Sequence, residues 1–246
     1  MRRVWRWLQW LFWIGILLAT ALGIGSGVFL YDLSKELPTN IDAELEKRDT
    51  RPTVIYDRNG NQIDELYIQR RIIVPYKEFP PHLVQALLAS EDSRFFSHYG
   101  IDPIRIFKAL YIDVMAGGFV QGASTLTQQV AKNLFLWPGS DWTRKVLEVW
   151  FALWIEATWS KQRILETYLN VAQFGPCVFG AEAASQRYFE RGAESLEPEQ
   201  AALLATVLPN PKILRAHNPG PFARKRTQEI AGLMRELRRA RHLQGL

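Results

Sequence analysis

Two adjacent carboxylates, Glu91 and Asp92, stand in SEDSRFFSHYG beside Phe95, His98 and Gly100. Acids are costly to bury and aromatics are seldom left bare. The stretch is therefore either a helix end with a structural histidine or a cleft holding a reactive carboxylate. A carboxylate set against aromatic walls is one way a general base acquires a raised pKa. Downstream, GASTLTQQVAKN (Gly122 to Asn133) places Thr125, Gln128, Gln129 and Lys132 at spacings of three and four, on one polar helical face. Such faces are ordinarily solvated, but this one is rich in short hydroxyls and amides and poor in the Glu and Lys of surface helices. Gly122 and Ser124 at its start suit an anion, because free backbone N–H groups point outward there. In TRKVLE, Arg144 and Lys145 precede Glu148 by four and three residues. Alone, that is a surface salt bridge worth about 0.3–0.5 kcal/mol.

Other chemistries are poorly served. There is no G-x-x-x-x-G-K-[ST], no H-E-x-x-H and no G-x-S-x-G. His82, His98, His217 and His242 make no ligand spacing, and Cys177 is the single cysteine, so no internal disulfide framework exists. The chain carries a net charge of +5, with Arg2, Arg3 and Arg6 at one end and Arg235, Arg238, Arg239 and Arg241 at the other. These do not interleave with an aromatic stacking surface, which argues against nucleic acid.

The elements that must hold these groups are mainly helical. Pro80-Pro81 opens a helix through HLVQALLASED with Gly100 as its stop, and Asp102-Pro103 starts the next, IRIFKALYIDVM, closed by Gly117-Gly118. Ser124, Asp141 and Ser160 are candidate caps of three more, Pro198 lies near the start of another, and a last helix spans roughly 222–242. TVIYDRNGNQIDEL, Thr53 to Leu66, carries Asn59-Gly60 between two apolar runs and predicts a tight β-hairpin. Leu11 to Leu30 has no charged residue; as a helix it would span ~30 Å, a bilayer's hydrocarbon thickness. The arginines precede it and Asp32 and Glu36 follow, so the positive-inside rule sets the N-terminus in the cytoplasm. A cleaved signal peptide is the rival reading. The expected organisation is a basic segment 1–10, a transmembrane anchor 11–31, a linker 32–52 and a catalytic domain 53–246.

Taken together, these stretches resemble the peptidoglycan glycosyltransferases, family 51 of the glycosyltransferases. EDSRFFSHYG matches the family's first motif, GASTLTQQVAKN its second and RKVLE its third. Ile164 to Asn170 and Glu199 to Pro211 match the fourth and fifth. The resemblance implies a mainly α, lysozyme-like fold with head and jaw lobes. It implies polymerisation of lipid II into glycan strands by inverting β-1,4 transfer, with undecaprenyl diphosphate leaving. Glu91 is then the general base, with Asp92 supporting it, and Glu148 a second acid and the candidate ligand of a divalent metal, Mg or Mn. Lys132, Arg144 and Lys145 neutralise the diphosphate; Ser124, Thr125, Gln129 and Asn133 line the cleft; Phe95, His98 and Gly100 frame it. The implied partners are lipid II, the growing strand, inner-membrane lipid through the apolar segment between the first two motifs, and cell-wall synthesis or division proteins. Two positions depart from the family pattern: Ser140 where arginine is usual, and Cys177 where glycine is common. The lead-in resembles class A penicillin-binding proteins, yet no S-x-x-K or K-T-G occurs, so a monofunctional enzyme and the first part of a longer one both fit. A lysozyme-like hydrolase and a weakly active lipid II-binding scaffold are the competing functions.

Overall fold

A computed structural model describes residues 53–66, 70–118, 122–137, 139 and 141–239, together with scattered positions between 7 and 32. The chain divides into a unit at Met1–Asp49 and a unit at Thr50–Leu246. In the first unit the described residues are helical, and Trp10, Phe12, Trp13, Leu17, Ile24 and Val28 are exposed. Among the described residues no helix is long and apolar enough to cross a membrane. Much of the expected anchor at 11–31, and all but one residue of the expected linker at 32–52, lie outside the described residues.

The second unit is mainly helical. A hairpin comes first, β1 (Thr53–Tyr56) against β2 (Gln62–Leu66). Its connection differs from the tight Asn-Gly turn expected. The ladder closes at Tyr56 and Gln62, and the chain between them is held by Asp57, whose Oδ1 accepts from Asn59 N (2.7 Å) and Asn61 N (2.8 Å). Asn59 does not enter the left-handed region that a two-residue turn of that type requires, so the aspartate turn governs the loop.

Eight helices follow among the described residues: α1 (Pro81–Glu91), α2 (Pro103–Ala116), α3 (Leu126–Phe135), α4 (Trp142–Thr158), α5 (Lys161–Val171), α6 (Ala181–Phe189), α7 (Pro198–Val207) and α8 (Pro221–Arg239). Three short strands, β3 (Arg70–Arg71), β4 (Gln173–Gly175) and β5 (Val178–Phe179), form a sheet in the order β3-β5-β4. Cap chemistry explains the starts. Asp102, Asp141 and Ser160 each accept a first-turn N–H, as their sequence positions suggest. α3 is the exception: its cap is Thr125, in a capping box with Gln128, and not Ser124. α1 also stops earlier than Gly100, at Glu91, and a 3-10 turn at Phe95–Ser97 intervenes.

Two helical clusters position the site. α1, α7 and α8 pack on one another through Leu83, Leu87, Leu204, Ile230 and Met234. α3 packs against both α4 and α5 through Leu126, Val130, Phe151, Ile155, Ile164 and Leu165. The last residue of α1 therefore faces the first turns of α3. α2 is different in kind. Ile104, Phe107, Leu110, Tyr111, Val114 and Met115 are all exposed on it, and Ala109 is its one buried residue.

Candidate active site

Glu91 is half-buried at the end of α1. Its Oε2 accepts from Gln129 Nε2 at 2.7 Å, whereas Oε1 has only a long contact to Ser90 Oγ at 3.4 Å. One carboxylate oxygen is thus pinned and the other is left open for a reacting hydroxyl. Arg105 Nη1, from α2, donates to the Glu91 carbonyl oxygen and fixes the backbone at that point.

The loop after Glu91 is built to hold it still. Asp92 is 1% exposed; its oxygens accept from His98 Nε2 (3.1 Å) and from Leu126 N (3.0 Å), the first residue of α3. Gly100, at φ +78°, brings the chain so close to α4 that a Cβ there would lie 2.9 Å from the Ala152 carbonyl oxygen. Thr125 Oγ1 donates to the Gly100 carbonyl at 2.6 Å. Lys161 stacks 4.2 Å over the buried Phe95 ring and donates to His98 O at 2.7 Å and to Glu156 at 2.8 Å, which also accepts from Thr127. Phe95, His98 and Gly100 therefore brace the loop that follows Glu91. Asp92 and Thr125 are 1% and 0% exposed with their polar atoms engaged internally. Gln128 likewise turns inward, into the capping box.

Opposite lies a cationic wall. Glu148, 3% exposed on α4, pairs with Lys145 Nζ at 2.6 Å and Arg144 Nη2 at 3.4 Å. Lys145 also donates to Ser124 Oγ at 2.7 Å, tying the lead-in of α3 to α4. What looked like a surface pair in sequence is a buried carboxylate with two cations, and removing one member of such a group costs far more than an exposed pair. Lys132 on α3 is held below the ordinary lysine range: burial lowers it most, Glu148 opposes, and Arg144 and Lys145 lower it further, while Glu91 raises it. It thus senses both acids. Asn133 follows it, half-buried. Ser140, at the usually basic position, lies outside the described residues. Its neighbour Asp141 is held below the usual carboxylate range by the Thr143 hydroxyl and the Arg144 N–H.

Both Glu148 oxygens face cations, so a divalent metal on this carboxylate would have to displace Lys145 or Arg144. Among the described residues one acidic and histidine group has metal-like spacing, Asp92, His98 and Asp102. Its oxygens are engaged too. Asp102 caps α2 through Ile104 N and Arg105 N and pairs with Arg94 Nε at 2.9 Å. A hard cation that takes oxygen ligands would have to displace these bonds.

Residues 59–235 match the family model described as Transglycosylase. The chain belongs to the transglycosylase family. The resemblance carried by the five motifs is borne out by relatives described as "Biosynthetic peptidoglycan transglycosylase". That of Bdellovibrio bacteriovorus is 50% identical over 157 residues, 64% of this chain and 62% of that protein. That of Stutzerimonas stutzeri is 48% identical over 69% of this chain and 70% of that one. The Klebsiella oxytoca relative is 42% identical over 92% of this transglycosylase and 89% of its own length. A crystal structure of penicillin-binding protein 1A from Haemophilus influenzae overlaps 79% of this chain and 20% of that one, at 20% identity and a TM-score of 0.41, too loosely to compare sites.

Sequence reasoning missed Tyr168, 1% exposed on α5, whose hydroxyl donates to Gln129 Oε1 at 3.1 Å. It lies inside the fourth motif, where a tyrosine among apolar helical residues reads as core. Arg105 was missed as well, its segment being read for lipophilicity alone.

Proposed function

We propose that this transglycosylase polymerises lipid II into the glycan strands of peptidoglycan, with Glu91 as general base and the Lys132, Arg144 and Lys145 wall receiving the diphosphate. The acceptor sugar's 4-hydroxyl oxygen attacks donor C1 from the face opposite the leaving group, so the configuration inverts. Its proton passes to the open Glu91 Oε1. The C1–O bond to undecaprenyl diphosphate breaks, and the leaving group keeps the electron pair. A placed base contributes roughly 10²–10⁴-fold, and fixed cations offset charge that builds only as the bond breaks. One observation carries this reading: a half-buried carboxylate held through one oxygen by Gln129 shares the α3 face with Lys132, and Arg144 and Lys145 gather on the buried Glu148 of the packed α4.

A lysozyme-like fold of head and jaw is part of the same reading, supported by the family and by the two helical clusters. So is a bacterial cytoplasmic-membrane location, single-pass, N-terminus inside and site outside. The uncharged run Leu11 to Leu30 and the exposed apolar side chains of α2 support it. A substrate held in lipid requires the cleft to lie against the bilayer.

Incubation of the purified full chain with labelled lipid II tests the proposal. Polymer with released undecaprenyl diphosphate is expected. Release of muropeptides from finished sacculi would favour the hydrolase, for which the cation wall has no evident use. Binding of lipid II without turnover, relieved by Ser140→Arg, would favour the scaffold.

A further inference from the structure

We propose that Tyr168 is a positioning residue for the base: its hydroxyl anchors the Gln129 amide oxygen and so holds the amide nitrogen on Glu91. The inference rests on the general-base reading of Glu91 and deepens it. A carboxylate oxygen can only accept a hydrogen bond, so the group that meets Glu91 Oε2 at 2.7 Å must be the amide nitrogen of Gln129. The amide oxygen then points the other way, where Tyr168 Oη reaches it at 3.1 Å. The acceptor-only carboxylate sets the amide orientation, and the phenol, donating to the amide oxygen, anchors the side chain in the place from which Nε2 reaches Glu91.

The tyrosine is well placed for this. Its ring is buried between α3 and α5, so its position is set by packing and not by the ligand. Burial, with the Glu91 charge beside it, pushes its phenol well above the usual range, so it remains a donor throughout any working pH. Around Glu91, Gln129 and Lys132 come from α3, Tyr168 from α5, Arg105 from α2 at the main-chain carbonyl, and Ser90 from its own helix. Of these, Tyr168 alone acts through another side chain.

Tyr168→Phe removes the hydroxyl and keeps the ring. Without that anchor Gln129 can leave Glu91, which loses one hydrogen bond to its charged form and titrates higher than in the wild type. The acidic limb of kcat moves up with it, and kcat at neutral pH falls about 3- to 10-fold because the carboxylate is less well aimed, with the KM for lipid II within about twofold. A second readout needs no turnover: titration of the Glu91 carboxyl by NMR in protein labelled at glutamate, the signal assigned by its loss in Glu91→Gln. The same upward shift is expected in Tyr168→Phe. In a Gln129→Leu background, where the amide is already gone, adding Tyr168→Phe should move Glu91 no further. An unchanged Glu91 titration in Tyr168→Phe, or an equal additional shift on top of Gln129→Leu, overturns the proposal. A wild-type protein that makes no polymer while showing these shifts would instead refute the functional reading and leave the positioning role standing.

Discussion

Asp92→Asn separates framing from chemistry. The side chain is 1% exposed and satisfies two donors, Leu126 N at 3.0 Å and His98 Nε2 at 3.1 Å. An asparagine oxygen in the place of Oδ2 can still meet both donors, but the amide N–H₂ then stands where Oδ1 was, 3.1 Å from the His98 Nε2 donor, with no acceptor. His98 can answer by moving its proton to Nδ1, but that nitrogen is buried without a protein partner, so one buried donor stays unsatisfied in either arrangement. The cost is about 1–3 kcal/mol. For a domain of this size that lowers Tm by roughly 3–10 °C. The frame around Glu91 is held by other bonds as well, those of Thr125 to Gly100 and of Lys161 to His98. Polymerisation measured well below the new Tm should therefore stay within about tenfold of wild type, since no transition-state contact is removed. Thermal denaturation followed by circular dichroism, paired with lipid II turnover well below the Tm of the variant, reads both. An unchanged Tm with polymerisation lost beyond about 10²-fold would refute the assignment and return Asp92 to the chemistry.

Two further outcomes follow from particular residues. Lys132 must be charged to receive the diphosphate, and burial favours its neutral form, so the alkaline limb of kcat/KM should fall below the ordinary lysine range; Lys132→Arg, which cannot lose its proton, should push that limb upward, and an unmoved limb would assign it elsewhere. Cys177 holds a left-handed φ of 58°, which disfavours a side chain by about 1–2 kcal/mol, while glycine adds unfolded-state freedom worth about 0.4–1 kcal/mol; Cys177→Gly should be neutral to mildly stabilising, raising Tm by about 0–4 °C, and a clear loss of Tm would contradict it.

How much of this was legible in sequence depended on how local the cause was. Helix starts at Asp102, Asp141 and Ser160 could be read because a cap acts on its own first turn. The polar face of Gln129 and Lys132 could be read because three- and four-residue spacing is a property of one helix. What failed turned on contacts between elements. Ser124 looked like a cap but is drawn to Lys145 across to α4, and Thr125 caps instead. Arg144, Lys145 and Glu148 looked like a surface cluster because burial of an acid is not written in its own neighbours. Tyr168 gains its role only where α5 meets α3. The left-handed backbone of Cys177 gives a physical reason for the family's glycine there, which spacing could not supply.

The most direct test is Glu91→Gln in the full chain, folded to a wild-type Tm and assayed for single-turnover polymerisation of labelled lipid II. Glutamine keeps the shape and the Gln129 neighbour but cannot take the acceptor proton. The rate should fall roughly 10²–10⁴-fold while lipid II still binds. Polymer formed at a rate near wild type would contradict Glu91 as the base.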